Sequence, residues 1–493
     1  MKCPDVILVQ PKLGEMDFLR TNPSLPLGLL SAATLISPKY KVKIIDQRIS
    51  KNWKEILEAN LNGGTLCVGV TSYTGTMIKC ALEVCKFVRD ISRAPIVWGG
   101  IHASLLPAQT LENKYVDVVV EGEGEYTLHD LLEAFSNDKP LAGVKGIWFK
   151  DGKKILRNSP RGFLDLNVLP DLPYHLVTAE DYVQLYRKRP SLPMETSRGC
   201  IYKCSYCYNT AYRSSTWRSL DTIGAVSRIK GLVNKYKVKG IYIIDDNFFV
   251  DLKRGEEFAK EIIKENLDVE WQVQGAGFLE LQKMDKAYLE LLEQSGCVRV
   301  TCGVESGSQR IRKILSKGSD LTKISRINRD MAGYNIIVLY SFISGFPGET
   351  IDDLRETIEF MFRLLKENPM ARNTPIYQYV PYPQTSLFER VKREGYRIPD
   401  SLGKWQDYDF HNLNVEKLTY LDQGLRKIFK TEFLYFLPFF IDNKLNEYEA
   451  KIWIKIIVYL YRPIAWLRLK YLFFRFPVEV YIIKRFVRFK LFA

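Results

Sequence analysis

Three thiols lie close together in Ser197-Arg198-Gly199-Cys200-Ile201-Tyr202-Lys203-Cys204-Ser205-Tyr206-Cys207, at the spacing C-x3-C-x2-C. Three thiolates on one loop can bind three irons of a four-iron, four-sulfur (4Fe-4S) cluster and leave the fourth iron open. An open iron can chelate a small molecule and pass it one electron. The spacing therefore predicts an iron–sulfur cluster on Cys200, Cys204 and Cys207.

A structural zinc site and chance spacing are the alternatives for these three cysteines. A structural zinc ion takes four closed ligands, and no fourth Cys or His lies nearby in the sequence. Chance spacing among the nine cysteines is the weaker alternative. An odd number of cysteines in a chain of 493 residues does not indicate a disulfide framework. We therefore expect a reducing, cytoplasmic compartment.

Strands and helices alternate on both sides of the cysteines. Between Pro193 and about Pro383, apolar runs at 240–244, 298–304 and 338–343 predict strands. This alternation favours an α/β unit built as a partial or full barrel.

The first 140 residues show the same alternation. Five apolar runs predict strands, at 6–9, 41–46, 66–70, 95–98 and 116–120. Alternating strands and helices imply a parallel sheet, whose ligands lie at the carboxyl ends of the strands. The loops at those ends are small, polar or glycine-bearing, as a ligand cradle requires. The glycines could equally form tight turns, and they do not match the nucleotide fingerprint G-x-G-x-x-G.

These patterns divide the chain into four regions. The predicted regions are a Rossmann-like doubly wound domain at 1–140, a proline-containing connector at 141–190, a partial (β/α) barrel of TIM type at 191–390, and a mostly helical region with a basic, aromatic tail at 391–493. The predicted fold class is therefore α/β.

Four further motifs follow the cysteines along the chain. They are Ile243-Ile244-Asp245-Asp246-Asn247-Phe248, Gly303-Val304-Glu305-Ser306-Gly307, Gly345-Phe346-Pro347-Gly348-Glu349-Thr350 and Pro381-Tyr382-Pro383-Gln384-Thr385. Together with the cysteines, they resemble the radical S-adenosylmethionine (radical SAM) superfamily. In that superfamily a reduced 4Fe-4S cluster cleaves S-adenosylmethionine to a 5′-deoxyadenosyl radical, which abstracts hydrogen from a C–H bond. The resemblance implies contacts with S-adenosylmethionine for Tyr208, Asp245, Asp246, Glu305, Ser306, Gly345 and Glu349.

Each of these motifs could also have a purely structural role. Asp245 and Asp246 could cap the following helix. The residues from Gly345 to Gly348 could form a turn and nothing more. The carboxylates of Glu305 and Glu349 could simply face solvent and bind nothing. The residues themselves leave these alternatives open.

The N-terminal region resembles the cobalamin-binding domain that precedes the barrel in one radical SAM subfamily. The matching segments are Pro26-Leu27-Gly28-Leu29, Ile44-Ile45-Asp46, 97–102 and 116–125, so the resemblance covers about 1–390. It implies a cobalamin site lined by Ser72, Thr74, Gly99, Gly100, His102, Glu121 and Gly122. A domain that keeps the fold without the cofactor is the alternative.

Ligation of the cobalt by a histidine is not indicated. The motif D-x-H-x-x-G would supply such a ligand, but His102 follows Gly100 in place of an aspartate and Leu105 replaces the glycine. His129 and His175 also lack the aspartate, and the similar segment 409–414 ends in asparagine. We expect any cobalamin to bind without a histidine from this motif.

The C-terminal tail carries most of the net charge. The chain has a net charge of +14, and residues 451–493 hold ten Lys or Arg against one acid, Glu479. Cations alternate with large rings at 465–476 and 484–490. This pattern favours an anionic membrane surface, and hence a peripheral location on the inner face of a membrane. Packing of the rings on the barrel and binding to nucleic acid are the alternatives, and nucleic acid is the weaker one.

The function predicted from these features is radical C–H chemistry on a hydrophobic, membrane-lipid substrate. Richness in Lys, Tyr and Ile with few His would suit a thermophilic archaeon, and under that interpretation the enzyme resembles archaeal tetraether-lipid modifying enzymes that form rings. The first alternative is a cobalamin-dependent methyltransferase, and the second is a non-catalytic cobalamin or metal sensor. The resemblance also implies an electron donor such as ferredoxin or flavodoxin. The sequence assigns no catalytic residue beyond the cofactor contacts.

Overall fold

A computed structural model describes residues 4–14, 17, 22–212, 215–408, 418–442, 452–476 and 480. The chain forms two compact units. The first comprises Met1–Tyr182, Tyr382–Gln384 and Arg397–Leu413, and the second comprises Val183–Pro381, Thr385–Tyr396 and Asn414–Ala493.

The first unit is built on one seven-stranded sheet. Its strands are β1 (Val6–Gln10), β2 (Val42–Asp46), β3 (Cys67–Thr71), β4 (Ile96–Gly99), β5 (Val118–Val120), β6 (Ile147–Asp151) and β7 (Lys154–Arg157). The order is β2-β1-β3-β4-β5-β6-β7, and the first five strands are parallel. The strand order reverses between β1 and β3, and a doubly wound sheet binds its ligand at such a point. The Rossmann-like fold is confirmed.

Helices cover this sheet because its central strands are apolar on both faces. Every residue of β1 is buried. The helices are α1 (Leu27–Ala33), α2 (Trp53–Asn60), α3 (Thr76–Ile91), α4 (Ile101–Leu105), α5 (Pro107–Glu112) and α6 (Glu125–Ser136).

Part of the predicted connector has regular structure. Strands β6 and β7 form an antiparallel hairpin that extends the first sheet beyond β5. Asp151 pairs with Lys154 across a two-residue turn, in which Gly152 has a φ of +59°. A positive φ costs glycine nothing, so Gly152 suits the first central position of a two-residue hairpin turn, in a region that the sequence predicts to be an irregular connector.

The second unit is built on an open sheet whose strands are parallel except for one edge strand. Its strands are β8 (Gln184–Tyr186), β9 (Arg189–Met194), β12 (Gly240–Ile243), β13 (Glu270–Ala276), β14 (Cys297–Glu305), β15 (Ile337–Ser344) and β16 (Ala371–Gln378), while β10 (Ser197–Gly199) and β11 (Trp217–Ser219) form a separate antiparallel ribbon. The order is β16-β15-β14-β13-β12-β9-β8, in which only β8 is antiparallel to its neighbour. This arrangement confirms the predicted partial barrel.

Helices follow the strands of the second unit and cover the outer face of the sheet. They are α7 (Tyr208–Tyr212), α8 (Thr222–Tyr236), α9 (Leu252–Lys264), α10 (Phe278–Leu281), α11 (Lys286–Gln294), α12 (Gln309–Ile314), α13 (Leu321–Asp330), α14 (Ile351–Glu367) and α15 (Ser386–Arg393). Aromatic rings fill the space between sheet and helices. Trp271 of β13 packs edge-on against Phe258 of α9, with 5.2 Å between the ring centroids.

The described C-terminal residues are mostly helical, as the sequence predicts. The helices are α16 (Gln423–Phe429), α17 (Phe433–Phe436) and α18 (Ile452–Lys470). Within the part of the chain that the structure describes, no helix is long and apolar enough to span a bilayer. The basic segment 484–490 and the histidine of segment 409–414 lie outside the described residues.

Candidate functional site

The three motif cysteines lie on the loop between β10 and α7. Cys200, Cys204 and Cys207 are free thiols and are only partly exposed. Burial raises the pKa of all three, and for Cys207 it reaches about 12. The negative charge of Cys204 adds to the rise for both other thiols, which places the three sulfurs near one another. Thiols that resist ionisation singly become ligands when a cationic group binds them together.

The donor set of this loop fits a cluster better than a single ion. Among the described residues, no three His, Cys, Asp or Glu side chains converge on one metal position. A closed zinc site requires such convergence. Cluster thiolates bind different irons and need no common centre.

Asp246 and Tyr208 hold the ends of this loop. The Asp246 carboxylate accepts hydrogen bonds from the backbone N–H of Gly199 at 3.0 Å and from the Tyr208 hydroxyl at 3.3 Å. Gly199 has a φ of +88°, so the turn into the loop requires a glycine. The two predicted cofactor contacts therefore lie at the cysteine loop, and their contact with S-adenosylmethionine stays a prediction.

Asp245 faces the protein interior. Its carboxylate accepts hydrogen bonds from the backbone N–H of Thr196 at 2.7 Å and from the hydroxyls of Thr196 and Ser197, both at 2.6 Å. Burial raises the pKa of Asp245 to about 6 against the effect of these donors. Asp245 thus fixes the chain just before the cysteines, and a direct cofactor contact stays a prediction.

Glu305 lies at the carboxyl end of β14 beside the cysteine loop. Its Oε1 accepts hydrogen bonds from the Tyr206 hydroxyl at 2.8 Å and forms an ion pair with Lys317 Nζ at 3.1 Å. The charges of Lys317 and Glu305 both act on the pKa of Cys204, Lys317 lowering it and Glu305 raising it. Tyr206 and Lys317 were not predicted as site residues from the sequence. Tyr206 lies inside the motif itself, whereas no local pattern indicates Lys317.

The remaining predicted contacts in the second unit follow β14 and β15 and form hydrogen bonds within the protein. Ser306 is buried, and its hydroxyl lies 3.1 Å from that of Thr357. Glu349 accepts hydrogen bonds from the Ser344 hydroxyl at 2.9 Å and from the backbone N–H groups of Gly345 and Phe346 at 2.6 and 2.9 Å. Burial raises the pKa of Glu349 to about 7. Glu349 closes the turn that follows β15.

Polar side chains also line one face of the second sheet. Tyr242, Gln272 and Arg299 are neighbours in register, and Thr301 lies on the same face two residues beyond Arg299. The Gln272 Oε1 and Thr301 Oγ1 atoms are buried without a hydrogen-bond partner among the described residues. A buried orphan acceptor costs about 1–3 kcal/mol, so a polar ligand group is favoured there.

In the first unit, the predicted cobalamin residues gather at the ends of β3 and β4. Gly100 has a φ of +91°, and a Cβ there would lie 2.7 Å from the Ser72 carbonyl oxygen. A Cβ on Gly99 would meet no described atom within 4 Å, so this edge is open. Ser72 Oγ is buried and has no partner among the described residues. An open edge with an orphaned hydroxyl fits a bound ligand.

His102 is fully buried below this edge. Its Nδ1 lies 2.9 Å from the Thr74 hydroxyl, and its ring packs edge-on against Trp405 at 5.5 Å. Burial lowers the pKa of His102 to about 3, so the ring is neutral. His102 Nε2 has no hydrogen-bond partner in the described part of the chain. Trp405 was not predicted from the sequence, because it lies some 300 residues further along the chain.

Glu121 and Gly122 follow β5, and both are already bonded. Glu121 accepts hydrogen bonds from Trp148 Nε1 at 2.5 Å and from Arg157 at 3.0 Å, which ties it to the hairpin. The Gly122 N–H donates to the Ser104 hydroxyl at 3.0 Å. Their contact with cobalamin stays a prediction.

The chain matches two protein-family models. Residues 194–361 match the radical SAM superfamily, and residues 20–132 match the B12-binding domain. The chain is a radical SAM enzyme with a B12-binding domain. These domains imply a 4Fe-4S cluster, S-adenosylmethionine and cobalamin as its cofactors. The three-cysteine loop fits the cluster, and the open edge at Gly99 fits a bound cobalamin.

Relatives of this radical SAM enzyme include methyl-transferring and ring-forming enzymes. An uncharacterised methyltransferase of Pyrococcus horikoshii is 29% identical over 371 residues, covering 74% of this chain and 78% of the relative. The anaerobic magnesium-protoporphyrin IX monomethyl ester cyclase of Rubrivivax gelatinosus is 26% identical over 406 residues, covering 77% and 69%.

A solved structure shows the same fold. It is the cobalamin-dependent S-adenosylmethionine radical enzyme OxsB with aqua-cobalamin bound, with a TM-score of 0.74 and 19% identity. The alignment covers 99% of this chain and 76% of that chain.

Proposed function

We propose that this radical SAM enzyme is a cobalamin-dependent methyltransferase. The observation that carries the proposal is the presence in one chain of two separate sites, the Cys200–Cys204–Cys207 loop and the open edge at Gly99. Methylation of an unactivated carbon needs a radical source and a methyl carrier, which are the two chemistries that the cluster with S-adenosylmethionine and the cobalamin supply when bound. The methyltransferase relative of Pyrococcus horikoshii supports this choice.

The residues of the chain have distinct tasks in this proposal. Cys200, Cys204 and Cys207 hold the cluster, and Asp246 fixes the loop that carries them. Lys317 compensates the charge of Glu305 next to that loop. In the first unit, Gly99 leaves space for the cobalamin.

Formation of rings in a membrane lipid, the function first predicted from the sequence, is the second candidate. The cyclase of Rubrivivax gelatinosus favours ring formation as a reaction type, but its name gives a porphyrin and not a lipid as the substrate. The orphaned acceptors Gln272 Oε1 and Thr301 Oγ1 favour a substrate with at least one polar group. A pure hydrocarbon would leave them unpaired.

The electron needed to reduce the cluster comes from outside the chain in this proposal. Ferredoxin or flavodoxin fits this role, since each carries one electron at low potential. Dithionite can replace this protein donor in a test of activity.

The products distinguish the two candidates. Protein purified without oxygen is loaded with iron, sulfide and cobalamin and incubated with dithionite, S-adenosylmethionine and a cell extract as the source of substrate. A methyltransferase consumes two molecules of S-adenosylmethionine per methylation and yields S-adenosylhomocysteine together with 5′-deoxyadenosine. A ring-forming enzyme yields 5′-deoxyadenosine alone.

Two controls make the result specific. Cys204→Ala should abolish 5′-deoxyadenosine, because the cluster loses one of its three ligands. Cys80→Ala removes a partly exposed cysteine of the first unit and should leave both products unchanged. Production of 5′-deoxyadenosine without S-adenosylhomocysteine would refute the methyltransferase proposal.

A further inference from the structure

Helix α18 packs on the second unit along one narrow stripe. The buried residues Val458, Ala465 and Leu469 are spaced by seven and four, which places them on one face of the helix. At that face, Trp466 meets Phe362 of α14 with 5.0 Å between the ring centroids. Tyr461 packs edge-on against Phe440 at 4.9 Å. This stripe of buried residues attaches the helix to the second unit. The other faces of the helix are exposed to solvent.

The outer faces of this segment are apolar as well. Of the 20 large hydrophobic side chains that are exposed in the described chain, 12 lie between residues 452 and 476. Leu460 is 68% exposed and Phe476 is 74% exposed. A helix that is apolar all round is normally buried, and an exposed cluster of this density marks an interaction surface. We call residues 452–476 the C-terminal apolar surface.

Charge on the C-terminal apolar surface has a single sign. The sequence from 452 to 476 contains five Lys or Arg and no Asp or Glu. Arg462 is used internally, since it donates hydrogen bonds to the carbonyl oxygens of Phe440 and Asp442. Lys470 and Arg475 are exposed, and Lys470 lies over the rings of Trp466 and Tyr471 at 4.8 and 5.4 Å. Rings thus lie directly beside cationic groups.

We propose that the C-terminal apolar surface docks the enzyme on an anionic lipid bilayer. The exposed apolar side chains enter the interfacial layer of the bilayer, and Lys470 and Arg475 contact the anionic headgroups. A symmetric second copy fits less well, because it would bring cations of the same sign against each other. Nucleic acid fits less well, because phosphate contacts do not use a dense layer of aliphatic side chains. The proposal is independent of the methyl-transfer chemistry.

Vesicle flotation with the full-length protein tests the proposal. We expect the protein to float with phosphatidylcholine vesicles that contain about 30% phosphatidylglycerol, and to float much less with phosphatidylcholine alone or in about 0.5 M NaCl. The double substitution Lys470→Gln and Arg475→Gln should weaken binding, by about fivefold for each cation. Leu460→Gln should weaken binding by about tenfold, because it removes apolar surface from the interface.

Matched variants elsewhere in the chain control for charge and exposure. Ile223 is 70% exposed on α8, so Ile223→Gln removes an equally exposed apolar side chain and should float like the wild type. Lys253 and Lys286 are exposed cations of α9 and α11, so Lys253→Gln with Lys286→Gln removes the same charge and should also float like the wild type.

Other occupants give different results, each of which would overturn the proposal. No flotation, together with a concentration-dependent dimer that Leu460→Gln abolishes, would assign the surface to a second copy of the chain. No flotation, together with an RNA gel shift that Lys470→Gln and Arg475→Gln weaken, would assign it to nucleic acid. Equal flotation with neutral vesicles, unaffected by the cation variants, would refute the role of anionic headgroups.

Discussion

Glu305 combines a strained backbone with a compensated charge. Its φ of +66° lies in the left-handed region, which costs a non-glycine residue of order 1 kcal/mol. The Tyr206 hydroxyl and the Lys317 ammonium both bond to its Oε1 atom. Lys317 also donates a hydrogen bond to the Gly303 carbonyl oxygen at 3.1 Å. The contacts of Tyr206 and Lys317 with Oε1 therefore hold the strained residue in place.

Removing the Lys317 charge should weaken both folding and cluster loading. The Lys317 side chain is 18% exposed, so Lys317→Met leaves Glu305 largely desolvated without this partner. We expect a loss of about 2–3 kcal/mol in the free energy of unfolding, measured by urea denaturation. Because Lys317 lowers the pKa of Cys204, iron content after reconstitution should also fall, and it should fall more at pH 7 than at pH 8.5.

Two variants test whether charge is the cause. Lys313→Met removes an exposed lysine four residues earlier and should change neither quantity. Adding Glu305→Gln to Lys317→Met removes the uncompensated charge and should restore part of the stability. Unchanged iron content in Lys317→Met at pH 7 would contradict the assigned role of Lys317.

At the level of single elements, the central strands could be predicted from the sequence. The predicted runs 6–9 and 66–70 correspond to β1 and β3, because strands buried on both faces are nearly continuous runs of branched apolar residues. The hairpin was missed because β6 alternates between buried and partly exposed residues and β7 has no buried residue, so no long apolar run indicates either strand. Only Gly152, at the first central position of the two-residue turn, indicates it locally.

The N-terminus of α14 depends on one carboxylate. Asp353 and Thr350 form a capping box, and the Ser308 hydroxyl donates a further hydrogen bond to Asp353 at 2.6 Å. Arg310 forms an ion pair with the same group. Burial alone would raise the pKa of Asp353, but Arg310, Ser308 and Thr350 together lower it to about 2. The ionised form thus stabilises the start of the helix.

Neutralising this carboxylate should destabilise the second unit in a pH-dependent way. Asp353→Asn should reduce the free energy of unfolding by about 1–2 kcal/mol at pH 7, because a cap and a charge-assisted bond are lost. The folded-state pKa lies below the unfolded value of 3.8, so wild-type Asp353 stabilises the fold above about pH 4 and loses this effect as the pH falls toward 2. The difference between variant and wild type should therefore be equal at pH 7 and 5 and smaller at pH 3.

The neighbouring acid provides the control. Asp352 lies in the same first turn, but its side chain is 82% exposed and pairs only with the exposed Arg355 among the described residues. Asp352→Asn should change stability by less than about 0.5 kcal/mol. A similar loss from both variants would show that general charge at the helix terminus, and not the contacts of Asp353, sets the effect.

At the level of the whole molecule, the first unit includes residues that follow the barrel in sequence. Trp405 donates a hydrogen bond to Gln109 Oε1 at 2.6 Å, and Gln109 donates one to the Pro399 carbonyl oxygen at 3.0 Å. The ring of His102 lies against Trp405. Hydrophobic periodicity in a sequence reports only local secondary structure. The return of Pro399 and Trp405 to the first unit therefore could not be predicted. The type of each cofactor could be predicted, because the cysteine spacing and the segments 26–29, 44–46, 97–102 and 116–125 that resemble a cobalamin-binding domain are features of the local sequence.

The two cofactor sites belong to two compact units, so each cofactor should be removable without the other. Gly99 lies at an open strand end, and a Cβ there would meet no described atom within 4 Å. Gly99→Leu should therefore fold normally but occupy the space for cobalamin. We expect cobalamin retention, read from its visible absorbance, to fall at least about tenfold, with iron content unchanged.

Reciprocal and matched variants complete this test. Cys204→Ala should lose iron and keep cobalamin, and Gly63→Leu, at an equally open position in a turn of the first unit, should keep both. Loss of iron and cobalamin together in Gly99→Leu would show that the sites depend on each other. If only cobalamin is lost while 5′-deoxyadenosine still forms, then radical formation needs only the second unit, and the methyl transfer proposed above is the step that requires the first.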